Sequence, residues 1–161
     1  MTSNTPPKRP LRKRLLRVLL VEDDDLRHAW FVERLSRLPE VRLVWAKTGG
    51  AAIAILNKDP PGTYFGLMLD HDLDKHSGND LSLVTNGKKV VETVIRRVDS
   101  GTPVLVHSAN TRGGPAMAAA LTGAGFEVTR VMFSDLTTEA LTAWLKTVQE
   151  WFEAETEDEA E

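Results

Sequence analysis

The chain has 161 residues, 42% of them hydrophobic, enough to build one α/β domain around its own core and leaving little room for a second. It contains no cysteine, which excludes disulfide frameworks, thiolate zinc sites, cysteine nucleophiles and dithiol redox chemistry, and makes a reducing cytoplasm the expected compartment. The net charge of −3 conceals two opposed ends: residues 8–17 carry six basic side chains and no acid, residues 150–161 carry seven acids and no base, and the body between them is mildly acidic.

Residues 1–16 are rich in Pro, Lys and Arg and lack the apolar run of a signal peptide, so a basic disordered arm is expected there. No stretch reaches the roughly 18–20 apolar residues of a membrane span, and no membrane association is expected. From Val18 the pattern alternates. Val18–Val21, Val41–Trp45, Phe65–Leu69, Val104–Val106 and Val128–Phe133 are short apolar runs suited to buried parallel strands. Between and after them, helical spacing is predicted over Asp25–Leu38, Gly50–Leu56, the stripe Val90, Val91, Val94, Ile95 and Val98, the Ala-rich Pro115–Leu121, and Leu141–Phe152. In the last of these, Leu141, Trp144, Leu145, Val148, Trp151 and Phe152 repeat at helical intervals and are expected in the core. Five strands alternating with five helices imply an α/β fold, a parallel sheet with helices on both faces and right-handed crossovers. An acidic tail is expected over residues 154–161.

Open parallel sheets place their sites beyond the C-terminal ends of the strands, so the residues just after each strand matter most. Strand 1 is followed by Glu22, Asp23, Asp24 and Asp25, more acids than one helix cap explains. Strand 3 is followed by Asp70, His71, Asp72, Leu73 and Asp74. Packing does not call for this composition, and clustered carboxylates repel unless a cation lies among them. A hard divalent ion is therefore expected, Mg²⁺ or Mn²⁺, held by Asp23 and Asp70 with Glu22 and Asp72 as further participants. After strand 4 come His107, Ser108, Ala109, Asn110, Thr111, Arg112, Gly113 and Gly114, small polar groups and paired glycines ahead of a helix. These suit a phosphate cradle of backbone N–H groups, although ordinary turn chemistry uses the same letters. His28 and His76 fall at no strand end and are expected to face solvent or lie in loops.

The apolar strand ending in Glu22, Asp23 and Asp24, the strand ending in Asp70, and the pair Ser108-Ala109 resemble the receiver domain of two-component response regulators over nearly all of residues 17–135. The resemblance implies a flavodoxin-like sheet of strand order 2-1-3-4-5, a receiver-like domain over residues 17–153, and phosphorylation of Asp70. One departure bears on function: receivers carry a lysine after strand 5, whereas Gly125–Thr138 contains none and reads Phe133-Ser134-Asp135 at that place. A narrower resemblance fits better. Glu22-Asp23-Asp24 with Arg27 and Trp30-Phe31, Asp70-His71-Asp72-Leu73, and His107-Ser108-Ala109-Asn110 with Gly113 and Met117 are similar to the signature of the cyclic-phosphate-processing receiver family. This chain has Thr111-Arg112 where that family often has Pro and Val, and an enlarged segment after Asp72, read as a lid-like loop over Asp74–Thr85 with the helix starting at Gly87.

That resemblance implies hydrolysis of cyclic phosphate ends, such as the 2′,3′-cyclic phosphates of RNA or nucleotides, with RNA ends among the expected partners and the receiver surface open to a protein partner. Opening such an ester needs an activated water, charge neutralisation at phosphorus and an acid for the leaving alkoxide. Asp70, His71 and His107 are the expected catalytic residues, the two histidines serving as base and acid from strands about 4.8 Å apart. Ser108, Asn110 and Arg112 are expected to orient the phosphate oxygens. Because side chains alternate along a strand, the alternative is that the histidines turn aside and orient the carboxylates. Phosphorelay through Asp70 and a noncatalytic binding module are the competing functions; the absent lysine argues against the first, the intact acids against the second.

Overall fold

The computed structural model describes residues 15–73 and 80–158, the stretch 80–86 as backbone only. The apolar runs form β1 (Leu16–Val21), β2 (Val41–Ala46), β3 (Gly66–Leu69), β4 (Val104–Val106) and β5 (Val128–Arg130), all parallel and ordered β2-β1-β3-β4-β5. This is the flavodoxin-like α/β topology expected. Every residue of β3 and β4 is buried, as central strands covered on both faces require, whereas β2 and β5 at the edges are partly exposed.

Five helices cover the sheet: α1 (Asp25–Leu35), α2 (Gly49–Lys58), α3 (Asp80–Arg97), α4 (Gly113–Gly123) and α5 (Thr138–Asp158). Alternation along the strands divides the core in two. Leu19, Val21, Leu67, Leu69, Val104 and Val106 pack with residues of α2, α3 and α4, while Val18, Leu20, Met68 and Leu105 pack with Phe31 and Leu35 of α1 and Leu141, Trp144, Leu145 and Val148 of α5. Each such apolar side chain contributes about 1.5–3 kcal/mol by leaving water. α5 lies so close to β3 that a Cβ on Gly66 would meet Val148 Cγ2 at 2.9 Å.

Several boundaries differ from the sequence expectation for identifiable reasons. β1 begins at Leu16, whose side chain is buried, so the body of the fold takes in part of the basic segment. β5 stops at Arg130, and Phe133–Asp135 form a 3₁₀ turn. α3 begins at Asp80 and runs straight through Gly87, so residues 80–85 are helix rather than lid, and residues 74–79 of that expected loop lie outside the described residues, as does His76. α4 takes Gly113 and Gly114 into its first turn. α5 continues to Asp158, so the acidic tail starts as helix. His28 lies within α1, not in a loop, its ring stacked on Trp45 at 3.5 Å between centroids. Among the described residues no helix is long and apolar enough to cross a membrane.

Candidate functional site

The register that aligns Val21 with Leu69 and Leu69 with Val106 continues one residue past the strands. Glu22 N–H donates to the Ala46 carbonyl, Asp70 N–H to Val21 and His107 N–H to Leu69, at 3.1, 3.0 and 3.0 Å. Glu22, Asp70 and His107 therefore form one transverse row at the top of the sheet, continuing the row of Leu20, Met68 and Leu105 toward α1. All three are buried, at 0% exposure. Local bonds fix the loop after β1: the Trp45 indole N–H donates to the Glu22 carbonyl at 2.8 Å, Asp24 N–H donates to Glu22 Oε1 at 3.0 Å, and Asp24 Oδ1 caps α1 by accepting from Leu26 and Arg27 N–H at 2.9 Å each.

One carboxylate oxygen from each of Glu22, Asp23 and Asp70 comes within 4.8 Å of the others. Burial, and next the charge of Asp70, push the Glu22 carboxyl up to about 8. Its Oε2 is buried and makes no hydrogen bond to the described residues. Repulsion of this kind disappears when a dication sits among the oxygens, and an all-oxygen set of three acids suits a hard ion that keeps some of its waters; the residues fit Mg²⁺ or Mn²⁺. Asp72 stands apart from this trio. Its N–H braces Asp70 Oδ1 at 3.2 Å, and its own Oδ1 accepts from Asn110 Nδ2 at 2.8 Å and lies 3.5 Å from His71 Nδ1. Because Asp72 follows Asp70 by two residues at a point where the chain leaves the sheet, strand alternation no longer returns it to the same face.

The two histidines are not paired. His107 is enclosed behind Glu22, with Nδ1 3.5 Å from Glu22 Oε2 and its ring 5.2 Å from that of Phe31. Burial, and next the nearby charge of Arg27, push its imidazole down to about 3, so it is neutral and sealed from water. His71 points toward α3 and α4 instead. Its ring fills the space that Cβ atoms on two glycines would claim: one on Gly87 would lie 3.0 Å from its Cδ2, and one on Gly113 only 2.2 Å from its Cε1. Alternation puts residue 71 and residue 107 on opposite faces, so the two histidines expected to serve as base and acid do not converge on one point.

The loop after β4 is organised by Asn110. Its Oδ1 accepts from Arg112 N–H at 3.0 Å and Gly113 N–H at 2.6 Å, its carbonyl accepts from Gly114 N–H at 3.1 Å, and its Nδ2 reaches Asp72. The N–H groups of Arg112, Gly113 and Gly114, part of the expected phosphate cradle, are thus already satisfied, and Asn110 holds β4, α4 and Asp72 together. Ser108 is buried, its Oγ accepting from Asn110 N–H at 3.0 Å, which leaves its hydroxyl proton for another acceptor. Arg112 is exposed and lines, with His71, Lys88, Val91, Asn110 and Met117, a cavity of about 580 Å³ between α3 and α4.

The residue that sequence reasoning left without a role is Arg27. From the first turn of α1 its Nη1 lies 3.7 Å from Asp70 Oδ2, and its guanidinium carbon stands 5.0 Å over the ring of Phe133. The aromatic residue in the lysine-free stretch after β5 and the lone basic residue in the first turn of α1 were the available signals.

Solved structures of similar fold include the signal receiver domain of a LuxO-type repressor from Vibrio parahaemolyticus, at 20% identity and TM-score 0.63 over 91% of this chain and 98% of that one. A CheY-like receiver domain from Methanospirillum hungatei matches at 15% identity and TM-score 0.63, covering 87% and 98%. The receiver domain of a sensor histidine kinase from Pseudomonas aeruginosa, which holds a magnesium ion in its active-site cleft, matches at 18% identity and TM-score 0.57, covering 85% and 97%. A comparison with the curated proteins returns no match. The sequence profile of the cyclic-phosphate processing receiver domain matches residues 18–123, about two thirds of the chain. With its parallel 2-1-3-4-5 sheet and acids gathered at the ends of β1 and β3, the chain belongs to the cyclic-phosphate processing receiver domain family.

Proposed function

We propose that the crevice above β1, β3 and β4 hydrolyses cyclic phosphate ends, of the 2′,3′ kind found on RNA or nucleotides, with Mg²⁺ or Mn²⁺ as cofactor. The observation that carries this reading is the grouping of Glu22, Asp23 and Asp70 around one point, with Arg27 beside Asp70. A divalent ion on these three acids would supply Lewis acidity toward a phosphoryl oxygen. The chain's own residues do the rest. Asp72 N–H holds the Asp70 carboxylate in place, and His107 fills the space behind Glu22 so that water does not enter from below. Ser108 offers its hydroxyl proton to a phosphate oxygen. His71, whose Nδ1 lies 3.5 Å from Asp72 Oδ1, is the group suited to carry a proton to the departing alkoxide.

The test is incubation with uridine 2′,3′-cyclic monophosphate and Mg²⁺ or Mn²⁺, followed by phosphorus NMR. The expected result is ring opening that Asp70→Asn abolishes and His71→Ala slows by about a hundredfold, the scale of general acid catalysis. Absence of turnover with every divalent ion overturns the reading. Phosphorelay has its own support in the position of Asp70 at the end of β3 beside two acids and Ser108; labelling of Asp70 by a small phosphodonor, without ring opening, would establish that function instead.

A further inference from the structure

Arg27 is held in place without being used up. Its backbone N–H is committed to the Asp24 cap, and its guanidinium rests over Phe133, which packs edge-on against Trp30 at 5.4 Å and lies 5.9 Å from Phe31. Of this aromatic floor, Phe133 comes from the lysine-free stretch after β5, and Trp30 and Phe31 from α1 itself. Nη1 is buried and makes no hydrogen bond to the described residues, and its distance of 3.7 Å to Asp70 Oδ2 is an ion-pair distance, too long for a hydrogen bond. A buried guanidinium donor left unsatisfied is costly unless a partner arrives. The partner suited to that position carries negative oxygens and sits beside Asp70. A guanidinium presents a planar fork, which matches the two nonbridging oxygens of a phosphodiester in a way that the point charge of an ammonium does not.

We infer that Arg27, seated on Phe133, is the residue that grips the phosphoryl oxygens at Asp70, taking from α1 the place that receivers fill with a lysine after β5. The inference rests on the reading that a phosphorus oxyanion binds at Asp70, and it deepens that reading by naming the group that recognises it. It also accounts for the absent lysine: a second cation from β5 would compete with Arg27 for the same carboxylate and the same oxygens.

Calorimetric titration in Mg²⁺ with two probes, uridine 2′,3′-cyclic monophosphate and inorganic phosphate, tests it. Arg27→Gln is expected to weaken binding of both by about tenfold or more, and Arg27→Lys to recover part of the loss, as for a charge-assisted fork reduced to a point charge. Mg²⁺ titrated alone should bind Arg27→Gln at least as tightly as the unaltered protein, because a positive neighbour of Asp70 has gone. Arg27 acting only as a brace for Asp70 predicts the opposite. Unchanged anion affinity in Arg27→Gln, or anion loss accompanied by an equal loss of Mg²⁺ affinity, overturns the inference. Arg27-dependent binding of phosphate without binding of the cyclic ester sustains it and defeats the cyclic-phosphate reading; binding of neither probe by the unaltered protein overturns both.

Discussion

Replacing Gly113 by Ala should dislodge His71, and the size of the effect follows from the packing. The new Cβ would stand 2.2, 2.3 and 2.5 Å from three atoms of the imidazole. A side chain at a free surface would swing away, but this ring has α3 behind it, where even a Cβ on Gly87 would lie only 3.0 Å from its Cδ2. Gly113 has no positive φ, so sterics decide the outcome. Overpacking of this kind costs about 1–3 kcal/mol, and the better helix propensity of Ala returns at most about 1 kcal/mol. The net expectation is a loss of about 1–2 kcal/mol, read as a lower urea midpoint at unchanged slope in far-UV circular dichroism. In a His71→Ala background the clash is gone and Gly113→Ala should be neutral or stabilising by up to about 1 kcal/mol, giving a coupling of about 2 kcal/mol in the double-mutant cycle. Equal destabilisation in both backgrounds would refute the argument that His71 is what the glycine makes room for.

The Glu22 carboxyl retains its proton to about 8 in the folded chain against 4.5 normally, so between those values folding takes up a proton and stability falls as pH rises; His107, pushed down to about 3 from 6.5, has the opposite slope below 6.5. A net loss of about 2 kcal/mol is therefore expected in the metal-free protein between about pH 6.5 and 8, and Mg²⁺ should raise the melting temperature more at the upper end; a Mg²⁺ increment independent of pH would contradict this. Asn110→Ala removes the acceptor for Arg112 and Gly113 N–H and the donor to Asp72, and should cost about 1–2 kcal/mol with faster amide exchange at residues 112 and 113. Unchanged exchange there would show that Asn110 does not protect these two N–H groups. His107→Leu exchanges a neutral ring whose nitrogens make no hydrogen bond to the described residues for an apolar side chain, so chemical denaturation should find it within about 1.5 kcal/mol of the parent; a larger loss would mean that the ring nitrogens are bonded after all.

The strands and their topology were legible because buried parallel strands leave continuous apolar runs, and the acid cluster was legible because packing has no use for it. The α3 start was misread through Gly87: preceded by Asn86 it has the letters of a turn, yet it lies inside a helix, and what it accommodates is a histidine sixteen positions earlier in the chain. Gly113 was misread in the same way, as a phosphate cradle, when its N–H serves Asn110 and its missing side chain serves His71. The split of the two histidines follows from strand alternation, but which of them would face Glu22 depended on the register between β3 and β4, which sequence does not state. Arg27 escaped assignment because its target lies on another strand and its platform more than a hundred residues away.

Trp45 has a consequence for how this crevice can be observed. It is one of four tryptophans, it lies on the edge strand, and its ring is stacked on His28 while its indole N–H is bonded to the carbonyl of Glu22. A chromophore is thus joined through one hydrogen bond to the backbone of a buried acid whose carboxyl is pushed up to about 8. The edge strand is expected to serve as an optical gauge of the crevice, read in unlabelled protein as the portion of emission that Trp45→Phe removes.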